Sequence, residues 1–183
     1  MIPNPRIIVV SPSLTLSALT PADAPVLFTL TDKNRERLNE YLPWVTHTTK
    51  VADSLAFIDT CQKNWETGEG AQFGIFLDGT LVGCIGVKDI QASHQGEIGY
   101  WIAEQAGGKG VMTQAAQALV HYSFHTLKLA RLLIRARAGN LPSAAVAKRL
   151  GFVHEGTERF GELHDGKLYD MERYSKLSSD ASV

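Results

Sequence analysis

Across residues 96–120 the apolar positions of this chain change period. Ile98, Tyr100 and Ile102 alternate as a strand does, whereas Met112, Ala115, Ala116, Leu119 and Val120 fall at i, i+3, i+4, i+7 and i+8, one stripe of an α-helix. The change happens inside the glycine-rich stretch 103–110, so the sequence reads strand, glycine loop, helix. A helix that starts in such a loop leaves its first N–H groups unpaired and partly positive at the end of a strand, and glycines let a ligand approach that backbone closely. This arrangement suits a phosphate. Spacing excludes two familiar phosphate loops. A P-loop needs Ser or Thr directly after its Lys, and here Lys109 is followed by Gly110. A dinucleotide fingerprint needs a third Gly or Ala where Thr113 stands. What remains is Gln105-x-x-Gly108-Lys109-Gly110, either a ligand loop or an ordinary glycine-rich turn.

The rest of the chain is that of one folded domain. At 183 residues it can bury roughly 70% of its unfolded surface. Its formal charge of −1, from 18 basic and 19 acidic residues, gives no global field to recruit nucleic acid or an anionic membrane. Cys61 and Cys84 lie far apart with no Cys-x-x-Cys, which argues against a disulfide framework or thiolate metal site and fits a reducing cytoplasm. No leader and no 18-residue apolar run is visible. The expectation is a single cytoplasmic domain over residues 1–177 with a frayed tail, 178–183.

In chain order, the β-favouring runs 6–10 and 14–19 predict an opening strand pair. Thr20-Pro21-Ala22-Asp23 starts a helix, and a second helical piece should occupy 33–41 and stop before Pro43. Tyr41 and Trp44 read as walls of a groove or as core aromatics closing a helical hairpin. A longer helix should run from Thr48 or Thr49 to Thr67, stopped by Gly68. Asp78-Gly79 predicts a type I′ hairpin between 72–77 and 80–90. A loop at 91–95 then leads into the central strand, completing an antiparallel meander. The helix after the glycine loop should end near Leu127, followed by a strand at 129–138 and a short helix at 143–150 capped by Asn140. A hairpin of 152–162 and 167–174 turns at Asp165-Gly166. His121 and His125 stand i, i+4 but lack a third ligand, and read as surface or packing residues. The fold class is α/β (α+β), a mixed and mostly antiparallel sheet with helices on its faces.

The Gln105 to Gly110 pattern between strand and helix resembles the pyrophosphate-binding motif of the GNAT superfamily of N-acyltransferases. Asn140-x-x-Ser143, then Gly151-Phe152 and Glu155-Gly156, are similar to the signature of its RimJ/RimL branch, ribosomal-protein N-terminal acetyltransferases and relatives. The likeness spans residues 14–174. Ser17 and Gln114 depart from it, standing where many members have Arg and Glu. The resemblance implies a central strand splayed from its neighbour to admit CoA, acetyl-CoA as co-substrate, and no metal.

It also implies roles. Gln105, Gly107, Gly108, Lys109, Gly110, Met112 and Thr113 would hold the pyrophosphate, with Asn140 and Ser143 on the pantetheine arm. A backbone N–H near Trp101 or Ile102 would polarise the thioester carbonyl. Glu162 would be the base and Ser143 the group that protonates the thiolate; Glu97, which occupies the base position of other GNAT branches, competes with Glu162. Either acid also reads as a solvated sheet residue, and Ser143 as a helix-start residue. Apart from the resemblance, the groove walls read from Tyr41 and Trp44 are the expected acceptor site. Neither cysteine lies in a motif for covalent catalysis. The acceptor is an amine: the N-terminus of a ribosomal or other protein, or a small amine such as a polyamine or antibiotic. A non-catalytic acyl-CoA sensor is a third reading. No nucleic-acid or membrane partner is expected, and a homodimer is left open.

Overall fold

A computed structural model describes residues 6–91 and 94–181. The opening runs pair antiparallel as β1 (Ile7–Val9) and β2 (Leu14–Ser17). Thr20 caps the following turn, its N–H and hydroxyl both donating to Asp23 Oδ2 at 2.7 and 2.8 Å. A 3-10 turn (Pro21–Asp23) leads into α1 (Ala24–Lys33). The second helical piece is shorter than its sequence suggests: α2 covers only Arg35–Asn39, and Pro43–His47 forms a further 3-10 turn. The break comes from Asn34. Its side-chain amide donates to Leu30 O at 2.8 Å, the acceptor its own N–H would use in a continuous helix, and that N–H turns to Thr31 O instead.

Helix α3 (Val51–Thr67) begins after Asp53 collects the N–H groups of Thr49 and Lys50, and ends at Gly68 with φ +82°. Strands β3 (Ala71–Leu77) and β4 (Thr80–Gln91) meet at Asp78-Gly79, whose φ values of +49° and +75° are those of a type I′ turn. The loop expected at 91–95 falls partly outside the described residues; β4 reaches Gln91 and β5 (Gln95–Ile102) completes the meander. Then follow α4 (Val111–His125), β6 (Arg131–Arg137), α5 (Leu141–Arg149), β7 (Val153–His164) and β8 (Lys167–Leu177). Helix α5 starts two residues before Ser143, because Pro142 is tolerated in a first turn where no N–H is needed. Where a frayed tail was expected, Ser178–Ala181 makes one 3-10 turn.

Among the described residues, eight strands form one sheet in the order β1-β2-β3-β4-β5-β6-β8-β7. Every neighbouring pair is antiparallel except β5 with β6, which run parallel. That parallel pairing covers only Gln95–Ile98 against Arg131–Ile134. Beyond Ile98 the two strands separate, and the rest of β5 keeps its ladder with β4 alone. Helices cover both faces. On one, Ala115, Ala116 and Leu119 of α4 pack on Phe73, Ile85 and Ile98; on the other, Leu27 of α1 and Ile58 of α3 pack on Leu81 and Cys84. No helix among the described residues is long and apolar enough to cross a membrane.

Candidate active site

The glycine loop is built to be approached. After the 3-10 turn Glu104–Ala106, Gly108 and Gly110 take φ +71° and +76°, and Gly110 caps α4. A Cβ on Gly108 would meet nothing within 4 Å. Glycine is therefore needed for the turn itself, and the space above the loop is open. Gln114 N–H donates to Gly110 O at 3.0 Å, while helix geometry leaves the N–H groups of Val111, Met112 and Thr113 without intrahelical acceptors. Lys109 and Gln105 are exposed beside them, and Met112 and Thr113 are half-buried in the first turn. An open cradle of N–H groups with one cation fits a pyrophosphate.

The separation of β5 from β6 forms the adjoining groove. Ala103 N–H donates to Val82 O at 2.7 Å, so the alternation of the antiparallel ladder turns the Trp101 N–H toward β4 and the Ile102 N–H and C=O toward the opening. Of the Trp101 and Ile102 N–H groups, that of Ile102 alone faces the opening. Arg37 of α2 takes the Ile102 carbonyl, and Asn34 Oδ1 accepts Glu104 N–H at 2.9 Å, so the α1–α2 corner is tied to the end of β5. The Trp101 ring packs on Trp44 at 6.0 Å between centroids. Across the groove, Asn140 Oδ1 accepts Ser143 N–H at 3.2 Å, making Ser143 the third residue of a capped helix. Tyr100 reaches over from β5, its hydroxyl 3.0 Å from Ser143 Oγ and 3.1 Å from Ser143 O. A cavity of about 450 Å³ opens beside α5, lined by Asn140, Ala144, Lys148, His154, Glu172 and Tyr174.

The two carboxylates have different settings. Glu97 lies in the part of β5 still paired to β6, and its Oε1 is 3.2 Å from Lys88 Nζ on the neighbouring strand. Glu162 lies on the β7–β8 hairpin, where Arg137 donates to its Oε2 from Nε at 3.0 Å and from Nη2 at 2.5 Å. Arg137 is buried, 7% exposed, and joins three elements. Its Nη1 donates to Glu40 O at 2.5 Å, Nη2 meets His164 Nδ1 at 2.5 Å, and its guanidinium lies over Tyr169 at 4.0 Å and Tyr41 at 5.9 Å. Arg131–Glu155 and Arg135–Glu158 make parallel pairs lower on the same strands. Trp44 is 38% exposed and Tyr41 half-buried, and neither joins the core. Hydrogen bonding to Glu40 raises the Tyr41 phenol above its usual pKa.

Glu162 is aimed by a bulge. The ladder pairs Glu158 with Met171 and Glu162 with Tyr169, so residues 159–161 stand opposite Asp170 alone. Phe160 takes φ +53° there, its N–H held by Asp170 Oδ1 at 2.8 Å. A Cβ on Gly161 would lie 2.9 Å from Glu158 Cδ and 3.0 Å from Met171 Cγ. Gly161→Ala is therefore expected to destabilise the fold by about 1–2 kcal/mol, read by urea denaturation, and to lower turnover by displacing Glu162. An unchanged midpoint would contradict this account of the bulge.

Arg137, Tyr100 and Arg37 were missed by motif reading, because each acts through a partner distant in sequence. The three arginines 131, 135 and 137 do share one strand face, an alternation that could have flagged them. His121 and His125 stack at 4.0 Å as exposed side chains on α4, and among the described residues no cluster suited to a metal appears. Burial pushes the Cys61 thiol up to about 12 and the Cys84 thiol higher still, which suits neither for acyl transfer at neutral pH.

Comparison with known proteins places this geometry. Residues 13–153 match the acetyltransferase (GNAT) domain family. The chain is 34% identical to YdaF of Bacillus subtilis (strain 168), over 93% of this chain and 94% of that protein. It is 31% identical to the ribosomal-protein-serine acetyltransferase of Escherichia coli (strain K12), over 92% and 94% respectively. Among solved structures it superposes with a TM-score of 0.90 on RimL, a ribosomal L7/L12 alpha-N-protein acetyltransferase in complex with coenzyme A, at 29% identity over 95% of this chain and 99% of that one. With the open N–H cradle, the splayed strands and the paired hairpin in place, the chain belongs to the GNAT family and is an acetyl-CoA-dependent N-acetyltransferase of the RimJ/RimL type.

Proposed function

We propose that this enzyme acetylates the α-amine of a protein N-terminus by direct attack of the amine on the thioester. The observation that carries this reading is Arg137, which touches both walls of the proposed acceptor groove: Glu40 O beside Tyr41 on one side, and Glu162 and Tyr169 of the hairpin on the other. On this reading an extended peptide would present its first residue to that carboxylate. Both bonds from Arg137 fall on Oε2, so Oε1 is the oxygen that takes the proton of the incoming ammonium, directly or through water. The neutral amine then attacks the thioester carbonyl, forming the C–N bond and a tetrahedral oxyanion that accepts from the Ile102 N–H; as this collapses the C–S bond breaks, the nitrogen releases its second proton to solvent, and the Ser143 hydroxyl donates a hydrogen bond to the departing sulfur. Acetyl-CoA supplies the activated acyl group. The names of the relatives agree, since one acts on a ribosomal-protein serine and another on the α-amine of L7/L12.

The chemistry favours an α-amine. Its pKa is about 7.7–8.0 against about 10.4 for lysine, so neutralising lysine at pH 7 costs roughly 3–4 kcal/mol more. A single carboxylate suits the easier task. Turnover with acetyl-CoA across peptides, polyamines and aminoglycosides tests the reading: peptides starting with Ala, Ser or Met should be the best acceptors, and shortening them should lower kcat/KM as remote contacts are lost. Turnover confined to polyamines or aminoglycosides would replace this reading with a small-amine one, and no turnover with CoA binding intact would leave a sensor.

A further inference from the structure

We propose that Tyr100 is a positioning residue for the Ser143 hydroxyl, holding it as a hydrogen-bond donor toward the sulfur of the departing thiolate. The inference rests on the reading of Ser143 given above and extends it to a residue on the opposite lip of the groove. Tyr100 lies two residues past Ile98, the last point of the β5–β6 ladder, and Ser143 lies in the first turn of α5, beyond the end of β6. The phenol spans the opening between them, with Oη 3.0 Å from Ser143 Oγ and 3.1 Å from Ser143 O.

Two hydroxyls and one carbonyl permit two proton arrangements. With the phenolic proton on Ser143 O, the serine hydroxyl can donate to Tyr100 Oη. When the serine turns its proton to sulfur, the phenolic proton can swing to Ser143 Oγ. Each arrangement keeps the half-buried oxygens satisfied, and the second polarises the serine as a donor. Burial pushes the Tyr100 phenol up to about 12, so it keeps its proton throughout the working range. The same value limits its role. A thiol has a pKa of about 8.5, so full transfer of the phenolic proton to sulfur would be uphill by more than three orders of magnitude. Tyr100 therefore supplies a hydrogen bond and no net proton, and the serine hydroxyl, a weaker acid than the phenol, likewise donates only a hydrogen bond; the proton that ends on sulfur comes from solvent.

The test compares wild type, Tyr100→Phe, Ser143→Ala and the double variant, with acetyl-CoA and an acceptor peptide. Tyr100→Phe keeps the ring and removes one oxygen, and a melting curve checks its fold. It should lower kcat about tenfold, the scale of one hydrogen bond, with the KM for acetyl-CoA unchanged. The double variant should be no slower than Ser143→Ala, because the tyrosine acts through the serine. A second readout is the ultraviolet thiolate absorbance of bound CoA against pH: the thiol should titrate about one unit higher in Tyr100→Phe than in wild type. If Ser143→Ala turns over normally, the reading of Ser143 falls and this inference with it. If Ser143→Ala is slow but Tyr100→Phe keeps the wild-type rate and thiol titration, or the two losses multiply, the inference alone is overturned.

Discussion

Glu162→Gln is expected to lower kcat about 10²-fold or more near neutral pH, the usual scale for loss of a general base, while CoA binding stays intact. The substitution is a narrow one. A glutamine keeps the length of the side chain, and its amide oxygen can still accept from Nε and Nη2 of Arg137, so Arg137 keeps its place between Tyr41 and the hairpin's Tyr169. What is lost is the ability to take the proton of the ammonium. Glu97→Gln should have a smaller effect, since Glu97 is engaged by Lys88 and lies before the point where β5 and β6 part. Steady-state kinetics on both variants, with thermal shift by CoA as the binding control, settles the order. If Glu97→Gln proves the more damaging, the base is on the central strand and Glu162 serves only to hold Arg137.

The second large effect lies at the glycine loop. Acetyl-CoA should raise the melting temperature of the wild type, because a ligand that binds only the native state stabilises it by about 2.7 kcal/mol at a hundredfold excess over Kd. Gly110→Asp should abolish that shift by placing a carboxylate among the N–H groups meant for the pyrophosphate. The variant should fold. A Cβ at this position meets only Gln114 Nε2, at 3.8 Å, and aspartate is one of the residues that tolerates the left-handed φ of +76° found there. A folded Gly110→Asp protein that still shifts with acetyl-CoA would show that the loop does not bind it.

The parts of this molecule that were legible in its sequence are local. Gly108, Gly110 and the apolar stripe of α4 lie within one turn-and-helix unit; Asp78-Gly79 makes its own turn; Asn140 caps the helix that follows it by accepting the N–H three residues on. The splay was legible only through family resemblance, since nothing in residues 95–102 says where a parallel neighbour stops. The supports of the site were not legible. Arg137 and Glu162 are 25 residues apart and belong to strands separated in the sheet by β8, an order no spacing announces. Tyr100 and Ser143 are 43 residues apart and meet only because β5 and β6 open. Helix α2 came out short for a related reason: Asn34 uses its side chain on Leu30 O and on Glu104 N–H, and the second bond depends on a loop 70 residues on.

Transfer of acetyl from acetyl-CoA to an N-terminal α-amine, as proposed, can be read at the product. The direct measurement is mass spectrometry of intact peptides of one sequence, starting with Ser and containing an internal lysine, offered with the N-terminus free or chemically blocked. The account predicts one acetyl group on the free peptide, placed by fragmentation on the α-amine, and none on the blocked peptide. Acetylation that persists on the blocked peptide, or that falls on the lysine of the free one, would contradict it.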